Sequence, residues 1–370
     1  MAESRNRPYH EQVDIENTVR LRQLISQLPP FVREFFRGIE QTTSSRTRIA
    51  YAYDLRIFFH YLMENYQEFA EIGLDNLTPA HLEQLKPADL EQYMEYLKYY
   101  HKDEEEHLNQ NRGIMRKISS LKAFYNYFYR REVITYNPAA LVDLPKDHEK
   151  PIIRLDADEV ALLLDHVEQG DHLTKQQKNF HDKTRTRDLA ILTLLLGTGI
   201  RVSECVGVDL KDLDFKNDGL KIHRKGGKEV ILYFGDEVEE ALLNYLDERT
   251  AIVPCEGHED ALFLSLQRKR ISVRSVEKLV KKYTQSVTAL KHITPHKLRS
   301  TYGTQLYQET GDIYLVADVL GHSDVNTTRK HYAAIEDNKR RQARNKVRLR
   351  REEPQVIIET ENDSSTENSR

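Results

Sequence analysis

The sequence is poor in cysteine and has no long apolar run, and both absences exclude classes of protein. Cys205 and Cys255 are the two cysteines among 370 residues, which is too few for a disulfide framework or a cysteine-based zinc site. We expect both thiols to be buried. No run of about 18 apolar residues occurs, so no membrane span is predicted. The first ten residues lack the apolar core of a signal peptide. The expected location is therefore the reducing cytoplasm.

Charge is unevenly distributed, although the net charge is only −4. Residues 1–149 hold 19 Lys and Arg against 23 Asp and Glu, whereas residues 150–351 hold 35 against 30 and residues 352–370 hold one against six. Residues 268–301 contain ten basic residues and one acid, Glu277. A local basic field attracts a polyanion whatever the net charge. The candidate phosphate contacts there are Arg268, Lys269, Arg270, Arg274 and Lys297.

The first part of the sequence has the apolar spacing of helices and no alternation typical of strands. Residues 1–40 are predicted to form an N-terminal extension, whose helical pattern ends at Pro29 and Pro30. A small all-helical domain is predicted over residues 41–145, with a solvated acidic loop at 103–106. Its three predicted helices are 43–64, 89–100 and 109–131.

Prolines and charge mark the next boundaries. Residues 146–155 are predicted to be a linker, because the charged run there is flanked and broken by Pro145 and Pro151. A second domain is predicted over 156–340, followed by residues 341–370, the end of a basic helix (336–351) and an acidic, disordered tail.

The second domain has the pattern of a mainly helical fold with one small antiparallel sheet. Strands are predicted at 213–215, 219–224 and 229–234, and the turn 225–228 makes a hairpin of the last two. The run 188–196 is almost wholly apolar, which predicts a buried helix that ends at Gly197-Thr-Gly199. Further helices are predicted at 237–248, 275–287, 295–308 and 313–320.

The sequence contains no true dinucleotide fingerprint, P-loop or zinc hydrolase motif, although short segments resemble each of them. Gly197-Thr-Gly199 follows a helix, and position 202 is valine, so it is no dinucleotide fingerprint. The turn at 225–228 is no P-loop, because Glu229 stands where Ser or Thr is required. His292 and His296 are separated by Pro295, and the glutamate of a zinc hydrolase motif is absent. Nucleotide hydrolysis and zinc hydrolysis are excluded, and we expect neither a metal nor another cofactor.

What remains is a spaced set of cations, imidazoles and one tyrosine in the second domain. Its members are Arg201, Lys225, His296, Arg299, His322 and Tyr332. His296 and Arg299 share one helix face at the i, i+3 spacing. His322 directly follows Gly321, a predicted helix stop.

In this order the set resembles the Arg…Lys…His-x-x-Arg…Gly-His…Tyr pattern of the tyrosine recombinase (integrase) family. The resemblance covers about residues 40–335, is closest to Xer proteins and, among these, to the XerS type that works without a second recombinase. It implies a helical core-binding (SAM-like) domain and a catalytic domain of the DNA breaking–rejoining fold. The segments that carry it include Asn137-Pro-Ala139, Leu144-Pro-Lys146, Arg187-Asp-Leu-Ala190, Arg224-Lys-Gly-Gly-Lys228, Ser275-Val-Glu-Lys278 and Thr294-Pro-His-Lys-Leu-Arg299.

Two positions depart from the family pattern. Ser300 follows Arg299 where histidine is common, and the interval from Gly-His to Tyr332 is ten residues where many Xer proteins have nine. The shorter interval falls on His331, whose imidazole cannot form the family's phosphotyrosine, so Tyr332 is the predicted nucleophile. Tyr302 and Tyr307 are expected to be packing residues.

The chemistry of these side chains fits cleavage of a phosphodiester. Arg201 and Arg299 can each direct two N–H groups onto phosphate oxygens and stay charged at any relevant pH. His322 adds a hydrogen bond, His296 can take the proton of Tyr332, and Lys225 can protonate the leaving 5′ oxygen. Glu204, one turn after Arg201, either orients that guanidinium or is a structural carboxylate.

The resemblance also implies partners and a biological role. The partners are a double-stranded DNA site, three further copies in a homotetramer on two sites, and a septal DNA translocase, with no membrane. The expected role is resolution of chromosome or plasmid dimers, without metal or ATP. A mobile-element integrase with the same chemistry, a type IB topoisomerase and a non-catalytic DNA-binding protein of the same fold are the alternatives.

Overall fold

The computed structural model describes residues 7–102, 105–146, 153–224, 227–288, 290–322 and 324–325. This part of the chain is mainly helical with two small antiparallel sheets, which confirms the predicted fold class. It forms two compact units that divide after Arg299. No helix among these residues is both long and apolar enough to cross a membrane.

The first unit holds thirteen α-helices, the start of a fourteenth and all five strands of the described residues. The helices are α1 Tyr9–Ile25, α2 Val32–Gly38, α3 Ser45–Asn65, α4 Gln67–Ile72, α5 Pro79–Glu83, α6 Pro87–Lys98, α7 Asn111–Arg130, α8 Ala157–Gln169, α9 Lys175–His181, α10 Arg185–Thr198, α11 Val202–Cys205, α12 Asp236–Ala251 and α13 Val273–Val287. Helix α14, Pro295–Thr310, begins in this unit and ends in the second, which also holds α15, Ile313–Leu320. The strands are β1 Tyr99–Lys102, β2 Glu105–Leu108, β3 Leu213–Asp214, β4 Gly219–His223 and β5 Glu229–Tyr233.

Helices α1 to α7 surround one apolar cluster rich in aromatic side chains, and this part of the chain, up to residue 146, is named the helical half. Phe58 and Phe59 of α3 and Phe124 of α7 are buried at its centre. Between the same two helices, Arg116 donates a 2.7 Å hydrogen bond to the buried carboxylate of Asp54. Apolar residues of α1 and α2 join this cluster, so these helices pack with the helical half, and the domain boundary at residue 40 stays a prediction. The joining residues are Leu21, Leu24, Val32, Phe35 and Phe36.

The expectation that this half is all-helical is wrong, because β1 and β2 pair as an antiparallel hairpin. The sequences of the two strands, YYHK and EEHL, lack the alternation of apolar and polar residues that identifies a strand. The acidic run 103–106, interpreted from the sequence as a loop, contributes Glu105 and Glu106 to β2.

A second apolar cluster forms the core of residues 153–299. This part of the chain is named the catalytic half, because it holds the predicted catalytic residues Arg201, Lys225, His296 and Arg299. Helix α10 lies inside it, with Ile191, Leu194 and Leu195 fully buried, which confirms the predicted buried helix. The strands lie in the order β3-β4-β5 with both pairs antiparallel, which confirms the predicted small sheet and the hairpin of its last two strands. The helices predicted from residues 237 and 275 are confirmed as α12 and α13.

The second unit has a small core of its own. Tyr307 of α14 and Val316 and Leu320 of α15 are buried together, with Tyr302 packed against them. This confirms the expectation that both tyrosines serve packing. Most of the predicted linker (147–152), the basic helix at 336–351 and the acidic tail lie outside the described residues.

Candidate active site

Arg201 lies in a sharp connection between two helices. Helix α10 ends at Gly199, whose φ of 62° is in the left-handed region where glycine carries no Cβ penalty. Arg201 then precedes α11, and its backbone N–H donates to Glu204 Oε2 at 3.0 Å. Its guanidinium donates to Glu204 Oε1 at 2.8 Å. The Glu204 side chain is 5% exposed and that of Arg201 is 38% exposed. A buried carboxylate therefore orients a partly accessible guanidinium.

Arg299 approaches the same connection from α14. Its side chain is buried, and its guanidinium donates a hydrogen bond to the backbone carbonyl of Gly199. This contact brings Arg299 to the turn that carries Arg201, although 97 residues separate the two arginines in the sequence. His296 lies one helical turn before Arg299 on α14 and is exposed. The predicted i, i+3 relation on one helix is confirmed.

The hairpin predicted to carry Lys225 is present as β4 and β5. His223 pairs with Glu229 at the end of the ladder, and the Arg224 N–H donates to the Lys228 carbonyl at 2.8 Å. Gly227 has a φ of 76°. Lys225 itself lies outside the described residues.

His322 lies in the second unit, directly after α15. Gly321 ends this helix in the left-handed conformation, and the His322 N–H donates to the Ala317 carbonyl at 2.9 Å. The helix stop predicted at Gly321 is confirmed. Tyr332 lies outside the described residues, and burial raises the pKa of Tyr302, which disfavours that residue as a nucleophile.

The basic residues of 268–301 differ in exposure. Arg268 and Lys269 are exposed in a tight turn, Arg274 is exposed beside Glu277, and Lys297 is half-buried on α14. Arg270 is different, because it is not the surface cation that the sequence predicts.

The Arg270 side chain is 10% exposed, because its guanidinium is used inside the protein. It donates to the carbonyls of Val206 and Val208 at 3.1 and 2.9 Å and pairs with Asp209. A count of positive charges cannot separate such a structural arginine from its surface neighbours.

Comparison with known proteins identifies the family. The phage integrase family matches residues 154–339, and the phage integrase SAM-like domain matches residues 27–145. A tyrosine recombinase XerC from Caldanaerobacter subterraneus subsp. tengcongensis is 34% identical over 334 residues, which cover 88% of each chain. The chain belongs to the phage integrase family. Within that family it is a site-specific tyrosine recombinase of the Xer type, and hence a DNA strand-transfer enzyme.

Other known proteins are also similar to this recombinase. A tyrosine recombinase XerD from Oceanobacillus iheyensis is 29% identical over 300 residues, 80% of this chain and 91% of the relative. The fold is similar to that of XerH bound to a palindromic difH substrate, with a TM-score of 0.61 and 18% identity over 81% of this chain and 80% of XerH. It is also similar to the Tn1549 transposon integrase in complex with circular intermediate DNA, with a TM-score of 0.58 and 23% identity over 83% and 97% of the two chains.

Proposed function

We propose that the recombinase cuts one strand of a double-stranded DNA site by attack of Tyr332 on the scissile phosphate. A bond forms between the tyrosine oxygen and phosphorus, and the bond from phosphorus to the 5′ oxygen breaks. The products are a 3′-phosphotyrosyl end and a free 5′ hydroxyl. Attack by a 5′ hydroxyl of a partner strand then releases the tyrosine and joins the strands.

The observation that carries this proposal is the contact of Arg299 with the Gly199 carbonyl, beside the turn that leads to Arg201. Two guanidinium groups supported at one place suit the nonbridging oxygens of a phosphate, which gain charge in the transition state. Such a donor contributes about 3–4 kcal/mol to transition-state stabilisation when it is preorganised. The buried carboxylate of Glu204 supplies that preorganisation for Arg201.

The remaining residues are proposed to move protons or to contact phosphates. A free tyrosine has a pKa of about 10, so we assign His296 to accept the proton of Tyr332 as the new bond forms. Lys225 donates a proton to the departing 5′ oxygen. His322 donates a hydrogen bond to the phosphate. Arg268, Lys269, Arg274 and Lys297 are proposed to contact phosphates of the duplex, which predicts strongly salt-dependent binding.

The reaction needs neither ATP nor a metal ion under this proposal. Cleavage exchanges one phosphate ester for another, so the energy of the bond is kept for rejoining. The arginines take the charge-stabilising part that Mg²⁺ has at other phosphoryl-transfer sites.

The similarity to XerC and XerD proteins favours a Xer-like role, in which the recombinase resolves chromosome or plasmid dimers in the cytoplasm. Under this proposal four copies assemble on two DNA sites, and a septal DNA translocase controls their activity. The XerS-like mode, with a single kind of recombinase, belongs to the same proposal.

A nicked suicide duplex tests the chemistry, with a binding site first selected from random duplexes. The wild type is expected to give a covalent protein–DNA band on a denaturing gel. The Tyr332→Phe variant is expected to bind the duplex and give no band. An adduct with Tyr332→Phe would show that another residue is the nucleophile, and binding without any wild-type adduct would support a non-catalytic protein.

A further inference from the structure

The first two residues of α1, Tyr9 and His10, contact the catalytic half, although the helical half directly follows them in the sequence. The Tyr9 ring covers the Arg270 guanidinium, with 4.7 Å between the guanidinium carbon and the ring centroid. Tyr9 also packs against the apolar cluster of the catalytic half. A Cβ on Gly207 would lie 3.2 Å from Tyr9 Cδ1, so this glycine permits the close approach.

Arg270 connects Tyr9 to the segment that follows Arg201. Its guanidinium holds the carbonyls of Val206 and Val208 and the carboxylate of Asp209. These residues directly follow α11, the short helix that carries Glu204 and begins after Arg201. Tyr9 therefore covers the cation that braces the far end of this helix.

His10 makes a matching contact on the hairpin. Its ring stacks on that of His223, with centroids 4.6 Å apart and an angle of 30° between the planes. His223 is the last residue of β4, two positions before Lys225. Tyr9 and His10 thus contact residues close to the predicted catalytic residues Arg201 and Lys225.

The rest of α1 packs against the helical half. Ser45 of α3 donates to Asp14 at 2.6 Å and accepts from Asn17 at 3.1 Å. One turn further, Arg20 donates to the Tyr53 hydroxyl at 2.6 Å. The same helix is therefore fixed at one end to the catalytic half and along its length to α3.

We propose that Tyr9 and His10 form an anchor that positions the α11 segment and the base of the β4–β5 hairpin, and that α1 couples both to the helical half. Tyr9 is a positioning residue, since it reaches Arg201 only through Arg270 and the α11 segment. This inference rests on the proposed function, which assigns Arg201 and Lys225 to the reaction.

The experiment compares Tyr9→Ser with Tyr9→Phe. Phenylalanine keeps a ring over Arg270, whereas serine removes it. We expect Tyr9→Ser to speed amide hydrogen exchange in residues 202–209 and to slow single-turnover cleavage of saturating suicide duplex by about ten- to a hundredfold, because small displacements of catalytic groups carry costs of this size. The dissociation constant for the duplex should stay unchanged, and Tyr9→Phe should behave as the wild type.

Two further variants test the contacts of Tyr9 and of His10 separately. Gly207→Ala places a methyl group 3.2 Å from Tyr9 Cδ1 and 3.3 Å from the Glu204 carbonyl oxygen, so the ring must shift by a few tenths of an ångström, and exchange in residues 202–209 should rise less than in Tyr9→Ser. His10→Ala should speed exchange in β4 and β5. Tyr127→Ser is the matched control, because it removes a similar ring over Arg131, 4.6 Å away, inside the helical half. It should lower the unfolding temperature and leave cleavage of bound duplex unchanged.

The outcomes distinguish a failure of the anchor from a failure of the proposed function. Wild-type exchange rates in both Tyr9→Ser and Gly207→Ala would overturn the anchor, as would faster exchange with unchanged cleavage. Slower cleavage by Tyr127→Ser to the same degree would reduce the effect to general destabilisation and also overturn it. If the wild type forms no adduct, the proposed function fails, and the exchange measurements still decide whether the anchor holds the α11 segment.

Discussion

The guanidinium of Arg299 donates a hydrogen bond to the backbone carbonyl of Gly199, two residues ahead of Arg201. The position of one predicted catalytic arginine therefore depends on the turn that carries the other. This turn favours a glycine, because Gly199 has a φ of 62°.

We expect Gly199→Ala to impair both stability and cleavage. A left-handed conformation costs an L-residue about 1–2 kcal/mol, and relaxation of the turn would move the carbonyl away from Arg299. The measurements are thermal unfolding and single-turnover cleavage. Gly257→Ala is the matched control, with a φ of 82° and open space around a new Cβ. An equal loss of cleavage in both variants would contradict a specific role of the Gly199 turn.

Glu204→Gln should weaken the site without changing the size of the side chain. The two carboxylate oxygens accept from the N–H and the guanidinium of Arg201. An amide has one oxygen, so its NH₂ group would face a donor inside the protein, at a cost of about 1–3 kcal/mol. Cleavage and unfolding temperature should both fall.

Glu277→Gln is the control for that measurement. Glu277 pairs with Arg274 at 3.1 Å on the surface, where an ion pair contributes about 0–1 kcal/mol. This variant should unfold as the wild type does. If Glu204→Gln also matched the wild type in both measurements, the carboxylate would have no role in orienting Arg201.

Chelation tests the proposed arginine-based mechanism. Adduct formation on the suicide duplex should proceed at the same rate after exhaustive dialysis against EDTA, and added Mg²⁺ should not increase it at constant ionic strength. Constant ionic strength matters because DNA binding through phosphate contacts depends on salt. A rate that falls with EDTA and recovers with one divalent ion would refute the metal-independent mechanism.

Stability should decrease as the pH falls below about 6.5, in part because of His181. Burial lowers the pKa of this histidine below its usual 6.5, and the Lys282 ammonium adds to that direction. The folded state then binds the proton less readily than the unfolded chain, so the contribution is fully present above the unfolded pKa and is lost as the pH falls through 6.5 toward the folded value.

Urea unfolding between pH 7.5 and 5.5 measures this dependence. His181→Gln should give a shallower slope than the wild type, although His166 and His258 have pKa values lowered in the same direction and keep part of it. An identical slope in the variant and the wild type would exclude His181 as a contributor.

Sequence patterns predicted those features that depend on local spacing. The interval from His296 to Arg299 places both residues on one helix, and the left-handed glycines at 199 and 321 end the helices that the sequence predicts. That Arg299 lies near the turn that carries Arg201 could be expected only from the family pattern, because no local rule relates positions so far apart.

Burial and long-range contacts account for the differences between the sequence-based predictions and the structure. Cys205 is buried as expected, and burial raises the pKa of its thiol to about 12, whereas Cys255 is only half-buried. Arg270 has the same charge as its surface neighbours, and its role is decided by carbonyls more than 60 residues away. Tyr9 belongs to no motif, so the anchor has no signature in the sequence.

The path of α1 has a consequence for the order of folding. Translation delivers the N-terminal residues first, yet the partners of Tyr9 and His10 lie beyond residue 200. The helical half can bury its aromatic core while the ribosome still holds those partners, so the contact between Tyr9 and Arg270 closes a very long loop and forms late. Because few contacts fix this end of α1, opening them again should be among the early events of unfolding.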